Sequence, residues 1–584
     1  MRAFNNDLPY DTFLQRQIAG DLLAPDDADV CAATGFITAA PDVRPDFTNF
    51  RKKDRYDELD DIVSTMGNSM LGLTLGCARC HDHKYDPLPT RDYYRLSAFF
   101  NPVERAEKPL HAEEQDAYNR GLKAFEEKLH PAQEGLKGWV QARKRPLRLA
   151  KIDALPAGDD EKALLRADRD ETNPKQKELL ERYKKELAVE DEELKGKISA
   201  EELGEWERLK AEIKTIEKTK PKDIARVLAA RQGPPKKSYF LPRGNSDIEE
   251  EAVTAGVLRV LSPVQQAGVA TPTNELTRVD LARWLTDPEH GAGALAARVM
   301  VNRLWQHHFG RGLVETPGDF GVRGSAPTHP ELLEWMASEL VRSGWRLKPL
   351  HKLILMSASY RQSLAWDEAR AKVDPENHLW WHRRPTRLEA EALRDRMLFV
   401  SGSLNTRMFG PSVKPPIHPD AIAAVTDNYD RWPVDAKDGP ETWRRGVYVF
   451  AKRSNLFPFL QAFDAPNTIG SCPKRNQTTV TPQALTLLND AFVRNQMRLF
   501  ARRVVWEAPG SGMSERVTHA WKLAFGRAPT PAEVEKASRF IQEQTRLHES
   551  SAPEPLAASA WAGLEAMTDF CQALVASNEF SYID

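Results

Sequence analysis

The residues best suited to chemistry lie together in the segment GCARCHDHKYDPLP, residues 76–89. Cys77 and Cys80 are followed at once by His81. A Cys-x-x-Cys-His string is the attachment signature of a c-type haem, in which two thiols bond to the porphyrin vinyl groups and the imidazole coordinates iron. The spacing therefore predicts covalent haem c, with Cys77 and Cys80 as anchors and His81 as the iron ligand.

The same segment supports a second chemistry, a zinc or iron site. Cys77 and Cys80 form a Cys-x-x-Cys-x-x-His spacing with His83, and Asp86 could add an oxygen ligand. Structural zinc sites commonly draw a second ligand pair from elsewhere, and the sequence has no second Cys-x-x-Cys. Haem is thus the favoured prediction, and the metal site is its alternative. A third interpretation, an unligated or disulfide-bonded pair of thiols, accounts poorly for so many ligands in one short segment.

Bulk composition excludes several classes of function. The chain has 584 residues with 82 basic and 84 acidic side chains, so no global field favours nucleic acid or an anionic membrane surface. Five cysteines are too few for a disulfide framework. No apolar run reaches membrane-spanning length, and the first residues lack the pattern of a signal peptide. We expect no nucleic-acid partner and no transmembrane segment.

The elements that must position the motif are helices. Residues 11–23 carry apolar side chains at helical spacing, with Pro25 as a stop. A helix over 56–75 is predicted to lead directly into the cysteine motif, and a short helix over 92–100 follows it. Residues 1–111 are therefore expected to form a helical, cytochrome-like domain with the motif in a tight loop.

Residues 112–232 differ in composition, being rich in Lys, Glu, Arg and Leu. Apolar residues recur at helical spacing near both ends of this segment, and Ser199 with Glu202 forms a capping box for the second helix. Two long arms that turn near 153–160 predict an antiparallel coiled-coil hairpin. Its role is either an arm that binds a protein partner or a solvated spacer.

The remainder of the chain is predicted to be an extended linker over 233–275, with a few strands, and a large, mostly helical domain over 276–584. Helices are expected at 295–309, 330–344 and 350–358, and the best strand candidate is GVYVF at 446–450. The predicted fold class is mainly α, with several domains.

The second large domain offers one visible polar cluster, His307 and His308. Either imidazole could act as a distal haem ligand or an acid–base group. The alternative is a helix end at which His308 complements the carbonyl dipole and His307 packs. Three further residues could converge with this pair in the fold, namely Asp319, His329 and His351.

Several long blocks of the sequence resemble the planctomycete cytochrome-c-type proteins: LPYDTFLQRQIAGDLL, MLGLTLGCARCHDHKYDPLPTRDYYRLSAFF, RVMVNRLWQHHFGRGLVETPGDFG and CQALVASNEFSYID. These are exported bacterial proteins whose two main parts are domains of unknown function. The resemblance covers nearly the whole chain except the charged hairpin, and it implies a periplasmic or otherwise exported location. Family members carry an upstream signal peptide and a further cytochrome-c-like domain, so the resemblance implies that the chain is truncated at its N-terminus.

Motif and resemblance together predict a c-type haem protein that transfers electrons or senses redox state, with a redox partner protein. The sixth iron ligand stays open. One alternative is a structural or interaction protein that holds zinc or iron through the same Cys/His cluster. Another is an oxidoreductase acting on a polysaccharide-derived substrate, for which no binding constellation is visible.

Overall fold

The computed structural model describes residues 1–39, 52–167, 173–262, 276–423, 432–452, 455–468, 470–508, 512–550 and 558–583. The predicted fold class is confirmed, because helices dominate and strands are few and short. The chain divides into two compact units. The first consists of residues 1–23, 33–104 and 231–584, and the second of residues 24–32 and 105–230. Within the described ranges, no helix combines the length and apolar character that crossing a bilayer requires.

The N-terminal part of the chain contains short helices, and Leu14 and Ile18 of the second of them are buried. These helices are α1 (Arg2–Asn5), α2 (Tyr10–Leu23), α3 (Ala28–Ala33), α4 (Gly35–Thr38), α5 (Lys52–Met66) and α6 (Thr90–Ala98). The helices expected at 11–23 and 92–100 are present as α2 and α6. The helix expected over 56–75 ends earlier, and its chain continues as a π-helical turn, Gly67–Leu71, and a 3-10 turn, Leu75–Arg79.

The second unit contains the long charged segment. Its helices after α3 are α7 (Ala112–Ala154), α8 (Asp159–Arg166), α9 (Pro174–Arg182), α10 (Asp191–Lys195) and α11 (Ala200–Glu217). As predicted, two helices pair, since α11 packs on α7 and Trp206 stacks on Trp139. The Ser199–Glu202 capping box is also present. The first helix ends at Ala154, inside the predicted joining stretch at 153–160, but α8, α9 and α10 follow before α11, so this stretch does not join the paired helices directly.

The C-terminal part of the first unit is a helical assembly, and its residues from 390 onward share a large hydrophobic core. Its helices are α12 (Arg278–Thr286), α13 (Gly293–Phe309), α14 (Pro330–Arg342), α15 (Leu347–Met356), α16 (Glu368–Val373), α17 (Ala390–Val400), α18 (Pro419–Ala423), α19 (Pro458–Ala462), α20 (Thr481–Asn489), α21 (Ala491–Glu507), α22 (Met513–Phe525), α23 (Pro531–Glu549), α24 (Ala558–Val575) and α25 (Asn578–Ser581). Leu393, Met497 and Phe570 bring α17, α21 and α24 into that core. The three helices expected at 295–309, 330–344 and 350–358 correspond to α13, α14 and α15.

The strands of the described residues form three two-stranded sheets. They are β1 (Val103–Pro109) with β2 (Arg226–Gln232), β3 (Ser238–Tyr239) with β4 (Ala252–Val253), and β5 (Thr386–Arg387) with β6 (Tyr582–Ile583). The pair β3–β4 confirms strands in the predicted linker, whose residues 263–275 lie outside the described ranges. The strand predicted at 446–450 is wrong: Gly446–Tyr448 is a 3-10 turn, held by a hydrogen bond from Gly446 N to Asp395 Oδ1 of 2.6 Å.

Candidate functional site

The motif loop, residues 76–89, is fixed to α5 through the residue that precedes Cys80. Arg79 pairs with Asp57 at 2.6 Å and with Asp60 at 3.3 Å, and the Tyr94 hydroxyl donates to the Arg79 carbonyl at 2.8 Å. Burial acts to raise the pKa of Asp57, but hydrogen bonds from Lys53 and Arg79 outweigh it and hold that pKa below its ordinary value. The 3-10 turn that carries the cysteines is therefore locked in place by charge-assisted bonds.

Both thiols of the motif are free and exposed, so neither is tied up in a disulfide. On one side of Cys80 the backbone of Gly244 is very close. A Cβ built on Gly244 would lie 2.7 Å from Cys80 Sγ, and the φ of Gly244 is +72°. Glycine is favoured at this position, since a side chain would displace the Cys80 thiol and require left-handed backbone. A group attached to Cys80 Sγ would therefore have to extend away from Gly244, toward solvent.

His81 is exposed, and one of its ring nitrogens is already oriented. Nδ1 lies 2.8 Å from the carbonyl oxygen of Asp82. A carbonyl only accepts, so Nδ1 carries the proton and Nε2 of the neutral ring keeps a free lone pair. Histidines that ligate metals commonly have their second nitrogen fixed in this way. The exposed thiols and the oriented imidazole fit the demands of haem attachment.

His83 has the opposite environment. Its side chain is 7% exposed, and Nδ1 accepts from the backbone N–H of Asp86 at 2.9 Å. That contact leaves the proton on Nε2, which lies 3.0 Å from the hydroxyl oxygen of Thr74. Both ring nitrogens of His83 are thus used in closing the motif loop.

Asp86, the fourth member of the alternative metal set, is also engaged. Its Oδ1 accepts from the backbone N–H of Val322 at 2.7 Å, and its Oδ2 lies 3.3 Å from His83 Nδ1. The structure thus brings His83 and Asp86 together as neighbours in a hydrogen-bonded network. Across the described ranges, no group of three or more His, Cys, Asp or Glu side chains has the arrangement of a metal site.

The contact with Val322 shows that the C-terminal half of the chain helps to build this loop. Phe320 N donates to Gly72 O at 2.7 Å, and a Cβ on Gly321 would meet the Asp86 carboxylate. These partners, like Gly244, are far from the motif in the sequence. No pattern near the motif could have indicated them.

In the C-terminal half, His308 pairs with one of the residues that could converge with it. His308 Nε2 lies 2.8 Å from His351 Nδ1, and the Tyr360 ring meets His308 edge-on. Burial, followed by the charge of the neighbouring imidazole, lowers the pKa of His308, and burial also lowers that of His351. His307 is exposed, so the two adjacent histidines differ in environment.

The other two candidates have different partners. Asp319 Oδ1 accepts from Gly321 N, and His329 Nδ1 lies 3.0 Å from Thr328 Oγ1. The predicted cluster is therefore reduced to the pair His308–His351, which has no carboxylate hydrogen-bonded to it among the described residues.

Comparison with known families accounts for both halves of the first unit. Residues 1–105 match PSCyt2, a protein of unknown function (DUF1549), and residues 277–541 match PSD1, a protein of unknown function (DUF1553). The class is thus a mainly helical protein with a cytochrome-like N-terminal part. The chain belongs to the planctomycete cytochrome-like family that combines these two domains. No curated protein and no solved structure matches the chain.

Proposed function

We propose that this chain is a c-type haem protein that transfers electrons. The observation that carries the proposal is the geometry of His81, whose Nδ1 is held by the Asp82 carbonyl so that Nε2 is available beside two exposed, free thiols. The match of residues 1–105 to a family with a cytochrome-like name supports it at a coarser level.

Each residue of the motif has a separate task in this proposal. Cys77 and Cys80 would hold the haem through its vinyl groups, and His81 Nε2 would be the ligand to its iron. Bound haem supplies a one-electron redox couple. Arg79 keeps the two thiols at a fixed distance from α5 through its pairs with Asp57 and Asp60, so the attachment points are positioned before the cofactor arrives.

Haem c is attached outside the cytoplasm, so the proposal includes an exported, periplasmic location, as the family resemblance also implies. A redox partner protein is then required, because a single haem must be both reduced and reoxidised. The motif loop is exposed at His81, which leaves a route for electrons between haem and partner.

The test is expression of the chain behind a cleavable periplasmic targeting sequence, together with cytochrome c maturation machinery. We expect a pyridine haemochrome spectrum and an intact mass with one covalent haem per chain. The double variant Cys77→Ala/Cys80→Ala should lose both signals. Cys472→Ala, which removes another exposed free cysteine, should keep them. A chain that folds and shows no haem under these conditions would contradict the proposal.

A second pair of variants separates haem from the zinc alternative. The haem proposal requires His81, whereas the alternative uses His83. We expect His81→Ala to change the absorbance of the attached haem or prevent its attachment, and His83→Asn, which retains hydrogen-bonding capacity, to keep it. Stoichiometric zinc that disappears in His83→Asn and persists in His81→Ala would instead support the metal site.

A further inference from the structure

The second unit contains a cavity of about 500 Å³ beside α7, unrelated to the cysteine motif. One stripe of α7 lines it, formed by residues 141, 144, 145, 148, 149 and 152. These positions recur every three or four residues, so they lie on a single face of the helix. The opposite wall comes from the end of α8 and from residues 187 and 189.

The floor of this cavity is apolar. Ile152, Leu165 and Leu187 line it and are 1%, 3% and 7% exposed, respectively. They belong to a small hydrophobic cluster that holds α7 to the short helices after it. The floor is therefore a fixed part of the core, and its size falls in the range of about 300–1,000 Å³ that is typical of small-molecule sites.

The walls carry four cations and no carboxylate, since Lys144, Arg145, Arg148 and Arg166 line the cavity without an acidic neighbour in the lining. Lys144 pairs with Asp191 at 2.8 Å, and the hydrogen bond from Lys144 lowers the pKa of Asp191. Arg166 pairs with Asp153.

Arg145 and Arg148 differ from these two. Both are exposed, and neither makes a hydrogen bond or ion pair with any residue in the described ranges. They lie three residues apart on α7, so their guanidinium groups can reach one anionic group from the same side. A guanidinium offers paired N–H donors that match carboxylate and sulfate oxygens.

We propose that this cavity binds an amphipathic organic anion: a carboxylate or sulfate head on Arg145 and Arg148, with an apolar body on the floor formed by Ile152, Leu165 and Leu187. The charged side chains of the lining are all cations, so they select an anionic head group. Burial of hydrocarbon against the floor supplies the rest of the affinity. The site is independent of the haem proposal, so the two can fail separately.

The experiment is calorimetric titration of the full chain with octanoate, octan-1-ol and inorganic phosphate. Octanoate should bind saturably and at least tenfold more tightly than either of the others, because only octanoate has both head and body. Arg145→Gln/Arg148→Gln should weaken octanoate at least tenfold. Arg120→Gln, an exposed arginine of α7 outside the cavity, should not. Circular dichroism checks that the variants remain folded.

Three outcomes would overturn the proposal. Octan-1-ol binding as tightly as octanoate would show that the floor acts without the arginines, and phosphate binding as tightly would show a site for the head alone. The acidic segment 168–172, outside the described ranges, supplies the third. If octanoate binds to the triple variant Asp168→Asn/Asp170→Asn/Glu171→Gln and not to the wild type, these carboxylates compete with octanoate for Arg145 and Arg148.

Discussion

Two histidines of the motif loop, two positions apart in the sequence, differ in their surroundings. His81 is exposed and has one ring nitrogen free, whereas both nitrogens of His83 are hydrogen-bonded, one to Asp86 N and the other to Thr74 Oγ1. A buried imidazole that has satisfied both nitrogens loses those bonds if it coordinates a metal. At the scale of single residues, hydrogen bonding therefore separates the haem ligand of our proposal from the residue that shapes its loop.

Gly244 offers a direct test of how the loop accommodates Cys80. Gly244→Ala would place a Cβ 2.7 Å from Cys80 Sγ. We expect less covalent haem per chain, because the displaced sulfur is no longer positioned for attachment, and a stability loss of about 1–2 kcal/mol from the left-handed backbone. Haem absorbance per mole of protein and chemical denaturation measure the two effects.

Gly410 provides the matched control for this variant. Its φ is +84°, and nothing lies within 4 Å of its Cβ position. Gly410→Ala should therefore carry the same backbone cost without any contact with the motif, and haem content should be unchanged. Equal haem loss in both variants would show that strain, and not the contact with Cys80, is responsible.

The pair His308–His351 predicts a pH dependence of stability. Both pKa values are lowered in the folded chain, so the unfolded chain binds protons first as the pH falls below about 6.5. The stability that the neutral pair contributes is thus present above that pH and is lost as the pH falls through the folded pKa. Around the pair lie His307, Arg383 and Asp7, of which Asp7 alone acts to raise the pKa of His351.

We expect the melting temperature of the wild type to fall between about pH 7.5 and pH 5.5, and the fall to be smaller in His308→Gln. The variant removes one of the two imidazoles that must charge on unfolding. His130→Gln, an exposed histidine on α7, should leave the wild-type difference intact. An unchanged pH difference in His308→Gln would contradict the predicted titration.

At the scale of elements, the charged arm, residues 112–217, depends on a few apolar contacts between α7 and α11. Trp206 is 1% exposed, stacks on Trp139 with ring centroids 6.1 Å apart, and lies under Lys210 Nζ at 3.9 Å. Arg143 on α7 adds a bond to Glu202 of the capping box at 3.2 Å. Most other side chains on these helices face solvent, so the pairing rests heavily on the indole ring.

Trp206→Ala should therefore open the arm. Removal of a buried tryptophan costs about 3–5 kcal/mol, and few other buried residues of α11 could compensate. Hydrogen exchange is expected to accelerate throughout 112–217 while the first unit stays protected. Trp506→Ala, which removes an 83% exposed indole, should leave exchange in 112–217 unchanged. Uniform acceleration along the whole chain would show that the arm is not a separate cooperative region.

At the scale of the whole molecule, the first compact unit contains most of residues 1–105 and all of residues 277–541, the two segments that match families. Arg278, 1% exposed at the start of α12, makes a bidentate pair with Asp21 of α2 at 2.7 and 2.8 Å and donates to Ile18 O at 2.9 Å. α2 and α12 also pack closely against each other. The N-terminal segment thus depends on the C-terminal segment for a buried charge partner.

Removal of one member of this buried pair should be costly. Arg278→Ala leaves Asp21 buried without its cation, and we expect a loss of about 3–5 kcal/mol in the free energy of unfolding. Arg298→Ala removes a partly exposed arginine paired with Glu334, which should cost about 0–1 kcal/mol. Denaturant midpoints of the two variants give the comparison. Similar midpoints would mean that the two family segments are not held together by this pair.

Local patterns in the sequence were sufficient to predict several helices of this molecule and one helix cap. Helices α2, α6, α13, α14 and α15 follow from apolar spacing and stop residues, and the capping box follows from Ser199 and Glu202. The strand predicted at 446–450 failed because its apolar run resembles a strand, while Gly446 is held in a turn by Asp395. The break after α7 was predicted, but the three short helices between α7 and α11 were not, because their segment shows mainly charge.

The sequence by itself determined which atoms of this protein can do chemistry: two thiols and an imidazole at a spacing that favours haem. Tertiary structure decided which of them are available. Gly244 and Val322 approach the motif from distant parts of the chain, and His351 completes a pair with His308. Helical periodicity, caps and the hydrogen bond from His81 to Asp82 depend on neighbours within a few residues, whereas the approach of Gly244 and Val322 to the motif joins segments that are far apart in the sequence. That difference in range is why the motif could be identified from the sequence and its environment could not.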